Sequence, residues 1–121
     1  MFKFIEGLPS DVLAIEAIGT VTRRDYRQTL VPAAEALIAK GPIRMLYVIG
    51  KEFEGFELEA LWADSAFGFG HLHDFSRIAV VTDHTWMGVA VNMFRPFFPA
   101  DVRLFGLSEL PDAKDWIVAT Q

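Results

Sequence analysis

The sequence predicts an α/β domain built on a mostly parallel sheet of about five strands. Three observations carry this expectation. The runs 45–49 (MLYVI) and 78–81 (IAVV) are continuously apolar, as strands buried on both faces of a parallel sheet are. Stretches with apolar residues at helical spacing separate them. The segment 53–83, FEGFELEALWADSAFGFGHLHDFSRIAVVTD, holds half of a βαβ unit: a Gly-containing turn, a Trp-bearing helix ending near Asp74, then an apolar strand.

The elements follow in order. Residues 2–5 are short and apolar, and Gly7-Leu8-Pro9-Ser10-Asp11 makes a turn into a second strand at 12–18. Two short strands joined by a brief turn predict an edge hairpin. Thr22 followed by Asp25 opens a helix in capping-box fashion. Tyr26, Leu30, Ala34, Leu37 and Ile38 form its apolar stripe, and Lys40-Gly41 stops it. Pro32 lies inside this helix and is expected to kink or restart it. After the strand at 45–49, residues 50–57 read as a charged loop. Leu58, Leu61, Trp62, Ser65, Ala66, Phe69 and Leu72 mark the next helix. Following 78–81, residues 86–94 read as helical until Pro96 and Pro99. A last strand covers 102–105 and a last helix 108–119, which bears Trp116. The order is β-β-α-β-α-β-α-β-α, with right-handed crossovers between parallel strands.

At 121 residues, the chain 1–121 is expected to be one domain. Hydrophobic residues make up 52% and charged residues 22%, a globular balance that argues against disorder. Eleven Phe and three Trp are a surplus of aromatic surface, which points to an interface or an apolar pocket. The net charge of −5, with no basic run, opposes nucleic-acid binding. With no Cys there is no disulfide, thiol chemistry or Cys-type zinc site. No signal-peptide pattern opens the chain, and no apolar run reaches the roughly 18 residues of a membrane helix. A cytoplasmic protein is the expectation.

One set of pieces stands in a fixed order: Phe53-Glu54-Gly55-Phe56, Ala60-Leu61-Trp62 with Asp64, and Phe75 with Arg77-Ile78-Ala79-Val80-Val81. It continues with Asp83 and Trp86, Phe98-Pro99, Val102-Arg103 with Phe105, and Leu110, Ala113 and Trp116. In this order the chain resembles the SpoIIAA-like family, related to STAS domains and more distantly to the lipid-binding Sec14 fold. The resemblance implies a singly wound sheet with an antiparallel first strand. It also implies a non-enzymatic domain that binds partner proteins, in STAS relatives under control of a phosphorylated serine at the start of the second helix. The signature there is Asp-Ser-Ser/Thr-Gly, and this chain has Glu52-Phe53-Glu54-Gly55 instead. No Ser or Thr occurs between Leu30 and Asp64, so that switch is chemically excluded. Glu54 then reads either as a permanent charge in the switch position or as a plain helix-start carboxylate, a place the helix dipole favours.

Other polar clusters are weaker. Ligands of open parallel sheets sit beyond the carboxyl ends of the strands. That edge collects Thr20, Glu52, Glu54, Asp83, His84, Thr85 and Ser108, which read as a solvated rim more readily than as a catalytic or metal set. His71 and His73 are two apart and point away from each other on a helix, so capping or exposed histidines are expected there. Residues 86–98, WMGVAVNMFRPFF, are apolar on two adjoining sides. They form either a deeply buried helix with an apolar connection or a Met- and Phe-rich docking surface. Trp62, Trp86 and Trp116 are expected in the core or along that same region.

The expectation is a non-enzymatic interaction domain without metal or cofactor, which forms a homodimer or binds another protein. Its candidate surface is Phe53, Glu54, Gly55, Phe56, Trp62, Trp86, Met87, Phe94 and Phe98. The alternative is a carrier or sensor of an apolar small molecule or lipid.

Overall fold

A computed structural model describes residues 1–60, 70, 71, 73–97 and 99–119. Its sheet has the order β1-β2-β3-β4-β5, so strands that follow one another in sequence lie side by side. They are β1 (Phe2–Phe4), β2 (Val12–Val21), β3 (Ile43–Phe56), β4 (Phe75–Thr82) and β5 (Asp101–Phe105). β1 runs antiparallel on the edge, pairing Phe2 with Ala17 and Phe4 with Ile15. The other pairs are parallel. The edge hairpin and the mostly parallel sheet are therefore as expected.

The strand period of two sorts the core into two faces. Leu13, Ile15 and Ala17 of β2 and Met45, Tyr47 and Ile49 of β3 share one face with Tyr26, Leu30, Ala34 and Ala60, and Met87 packs against that cluster. Those last five residues come from the three connections between parallel strands. Each connection moves one step along the sheet in the same direction, and right-handed crossovers then place all three on the same face. Ala14, Leu46, Val48, Ala79 and Val81 face the other way and are covered by Ala113 and Ile117.

The first connection is not one regular helix. It starts as a turn, α1 (Arg23–Asp25), winds as a π-helix through Tyr26–Leu30, and resumes as α2 (Val31–Ile38). Pro32 is the second residue of α2, where its missing N–H and its ring are tolerated. The wider π turn lies immediately before it, so the expected restart occurs at the proline. Inside this face the Tyr26 and Tyr47 hydroxyls meet at 3.2 Å, and the Phe2 ring stands edge-on to both rings.

The start of α1 is a full capping box. The Thr22 N–H donates to the Asp25 carboxylate at 2.9 Å, and the Asp25 N–H donates to the Thr22 hydroxyl at 3.2 Å. The Met1 ammonium reaches the same carboxylate at 3.0 Å. Burial alone would raise the Asp25 carboxyl. The Thr22 backbone N–H, the Met1 ammonium and the Thr22 hydroxyl outweigh it and hold the group below its ordinary value.

The helix after β5 is α4 (Leu110–Val118), preceded by a short 3-10 turn at Leu107–Glu109. Two neighbouring strands reach its far end. Arg44 of β3 and Arg77 of β4 are register partners. The Arg77 guanidinium donates to the carbonyls of Trp116 at 2.7 Å and Ala119 at 2.9 Å, and Arg44 donates to those of Ile117 at 2.9 Å and Ala119 at 3.1 Å. These carbonyls belong to the helix C-terminus, where the regular i+4 donors run out, and cations there complement the helix dipole. Arg77 is 8% exposed, so carbonyl oxygens satisfy a buried charge. Its guanidinium also stands 5.3 Å from the Trp116 ring centre, and that of Arg103 stands at 4.9 Å.

One expected loop is strand instead. β3 does not end at Ile49 but continues to Phe56. β4 pairs with β3 only as far as Ile49–Thr82, whereas β2 goes on pairing with Phe53, Gly55 and Phe56. Beyond Ile49 the strand has one neighbour, so Lys51, Glu52 and Glu54 are exposed while Phe53 is buried. Their charges read as a loop because a half-covered strand end needs no continuous apolar run.

Two outcomes are expected from this packing. Arg77→Leu should lower unfolding free energy by about 2–3 kcal/mol in a urea titration, and Arg77→Lys should recover less than half of that, because the ammonium lacks the fork. Asp25 has a lowered carboxyl, so its contribution is complete above the unfolded value near 3.8 and fades as pH falls through the folded one. Asp25→Asn should cost about 1 kcal/mol at neutral pH and flatten the acid limb of stability against pH.

Candidate functional site

Four rings join the end of β3 to the start of α3 (Thr85–Phe94). The His84 and Phe53 rings meet at 5.4 Å, Phe53 and Phe56 at 5.0 Å, and Phe56 and Trp86 at 6.2 Å. The outer two contacts are edge-to-face, a favoured arrangement of aromatic quadrupoles. The series leads outward: Phe53 is buried, Phe56 is half-buried and Trp86 is 50% exposed.

The backbone explains how Phe53 and Phe56 come to the same side. Phe53 pairs with Gly19 and Gly55 with Thr20, which leaves Glu54 as an extra residue in the ladder. Gly55 takes φ +149°, a region that L side chains avoid. The bulge restores the inward phase at Phe56 after three residues instead of two.

α3 is apolar on two faces. Met87 points to the core, and Gly88 lies so close to β5 that a Cβ there would stand 3.2 Å from the Leu104 side chain. The opposite stripe carries Trp86, Val89 and Met93 at the i, i+3, i+7 spacing of one helix side. Val89 is 55% exposed and Met93 66%. A deeply buried helix is thereby ruled out for this stripe. Leu58, at the start of the helix after β3, is also exposed.

The candidate residues thus divide. Phe53, Phe56, Trp86 and Met87 come together where β3 meets α3. Glu54 is exposed on the strand and is not a first-turn carboxylate, since helix begins only at Leu58. The helix-start reading of Glu54 is corrected accordingly. Trp116 is on the other side of the sheet, packed at 6.0 Å on Phe105, and does not line this region. Trp62, Phe98 and the Phe94 side chain lie outside the described residues.

Two polar side chains at the end of β4 have structural tasks. The Thr82 hydroxyl accepts from the His84 N–H at 3.0 Å, and the Asp83 carboxylate accepts from the Leu107 N–H at 2.9 Å. Asp83 thereby ties the end of β4 to the turn after β5. His71 Nδ1 sits 2.7 Å from the Asp74 carboxylate, three residues on. Among the described residues no three His, Asp or Glu side chains stand together as a metal site. Among them, too, no helix is long and apolar enough to cross a membrane.

The singly wound sheet with an antiparallel first strand matches a known fold. The SpoIIAA-like family model matches residues 12–118. The chain belongs to the SpoIIAA-like family. A crystal structure of an uncharacterized protein of the DUF3478 family from Shewanella loihica PV-4, with a SpoIIAA-like fold, superposes with a TM-score of 0.77. It is 29% identical, and the match covers 97% of this chain and 92% of that one. A search of curated proteins finds no match. Within the SpoIIAA-like family this chain has no hydroxyl residue from Val31 to Ala63 other than Tyr47, so nothing there accepts a phosphate as serine or threonine would.

The two faces of α3 predict opposite mutational costs. Gly88→Leu should destabilise by about 1–3 kcal/mol through overpacking on Leu104. Val89→Ser on the exposed stripe should stay within about 0.5 kcal/mol of the parent. Thermal and urea denaturation of both variants measure this.

Proposed function

We propose that this SpoIIAA-like domain is a non-enzymatic interaction module whose docking surface is the outer stripe of α3, with Phe56 at its margin. The observation that carries the reading is the exposure of Trp86, Val89 and Met93 along one helix side. Burying a large apolar side chain stabilises by roughly 1.5–3 kcal/mol, so three left in water are a reserve of association energy. Aromatic residues and Met are the types enriched at interface centres. The inward side of the same helix is already satisfied by Met87 and the Gly88 approach to Leu104, so core packing does not call for the outer stripe. The edge-to-face contact with Phe56 holds Trp86 in place, which lowers the entropy lost when a partner packs on it.

The rim supports the same reading against an enzyme. Asp83 and the Thr82 hydroxyl are engaged with backbone N–H groups, and the His84 ring packs on Phe53. A protein complex is the natural assembly, and a second copy is the first partner to test.

Sedimentation velocity over about a hundredfold concentration range tests this. The parent chain is expected to pass from monomer to dimer, and Val89→Glu/Met93→Glu to remain monomeric with an unchanged circular dichroism spectrum. A parent that stays monomeric throughout, and retains no other protein when immobilised, contradicts the proposal.

A further inference from the structure

We infer that the groove between α1 and the segment leaving β3 binds a small molecule with an oxyanion, phosphate or carboxylate, at one end and a cationic group at the other. The groove has a volume of about 830 Å³ and is walled on one side by Arg23, Arg24, Arg27 and Gln28. Glu57 and Glu59 form the other wall. Its size falls among small-molecule sites, roughly 300–1,000 Å³. The Glu57 N–H donates to the Val21 carbonyl at 2.9 Å, which fixes the acidic wall beside the start of α1.

The arginines stand where stability does not want them. Three of the chain's eleven basic residues fall within positions 23–27 of a protein with net charge −5. Arg23 and Arg27 are four apart and Arg24 and Arg27 three apart, spacings at which like charges on a helical surface repel. Arg23 and Arg24 sit in the first turn, where the helix dipole disfavours cations. Among the described residues none of them forms an ion pair, although the acidic wall lines the same groove. The Thr22–Asp25 box engages the Thr22 and Asp25 N–H groups, and the arginine side chains supply the charged donors of the groove.

Guanidinium groups present paired donors that match carboxylate and phosphate oxygens. Two or three of them around one anion relieve their mutual repulsion. A ligand that is only anionic meets Glu57 and Glu59 on the opposite side. One that also carries an amine satisfies both walls. The site uses none of the α3 stripe, so its test is independent of the docking proposal.

The test is an NMR titration of the isotopically labelled full chain with phosphoethanolamine and β-alanine as two-ended probes. Monoethyl phosphate and ethylamine serve as one-ended controls. Saturable shifts confined to residues 22–28 and 57–59 are expected, with one-ended probes about tenfold weaker. The preferred two-ended probe names the oxyanion. Arg23→Gln/Arg27→Gln should weaken binding about tenfold or more while the rest of the spectrum is unchanged. Glu57→Gln/Glu59→Gln should keep phosphate binding and lose the preference for the amine. Sedimentation with ethanolamine-phospholipid vesicles separates sources: retention abolished by the arginine variant assigns a lipid headgroup, and no retention a free metabolite. Shifts that do not saturate, or that persist in the arginine variant, overturn the inference.

Discussion

Each crossover between β2 and β5 joins adjacent parallel strands, and all step the same way along the sheet. The rule of right-handed connection then crowds three helical segments onto one face and leaves the other to the chain beyond β5. Most of that task falls to α4, with Leu107 of the turn before it and with Ile5 and Leu8 from the turn after β1. This short helix covers Ala14, Leu46, Val48, Ala79 and Val81, and its hold is reinforced where Arg44 and Arg77 grip its last carbonyls. The buried Arg77 is thus part of the cover of that face. A charge is placed under a sheet because a helix end supplies oxygens to meet it.

The same constraint explains the exposed stripe. Three segments lie in a row over the strands in sequence order, and α3 is the last, beside the edge strand β5. Its inner side meets Leu104 through Gly88, and among the described residues no further helix lies beyond that edge. The proposed docking surface is the apolar stripe at that end of the row. The ring series from His84 through Phe53 and Phe56 to Trp86 connects it to the buried end of β3.

The elements with uninterrupted patterns were legible in the sequence. The runs 45–49 and 78–81 are strands, Thr22 and Asp25 form the cap, and Pro32 marks the restart of the first helix. The resemblance to SpoIIAA-like proteins, read on separate short pieces, matches the family model over residues 12–118. The features that failed to show were those set by tertiary neighbours. Lys51, Glu52 and Glu54 look like a loop until the strand is seen to have β2 on one side only. Arg44 and Arg77 carry no local sign that a helix end more than thirty residues away lies above them. Arg23, Arg24 and Arg27 are interrupted by Asp25 and Tyr26 and draw no notice in sequence, and only the position of Glu57 and Glu59 turns them into a wall. For the site, the sequence singled out Phe53, Phe56, Trp86 and Met87 together, but not which side of α3 is left open. That depended on Gly88, whose missing side chain gives no hydrophobic signal.

Oxidative footprinting tests the central claim, that the outer stripe of α3 is a covered surface in the working protein, most directly. Met93 and Met1 are both exposed in the single chain, at 66% and 57%, so Met1 serves as the internal reference. The account predicts that hydroxyl-radical labelling of Met93 and Trp86 falls several-fold relative to Met1 when the protein is labelled at high concentration or in cell extract instead of at high dilution. Labelling of Met93 that follows Met1 under every condition would contradict it.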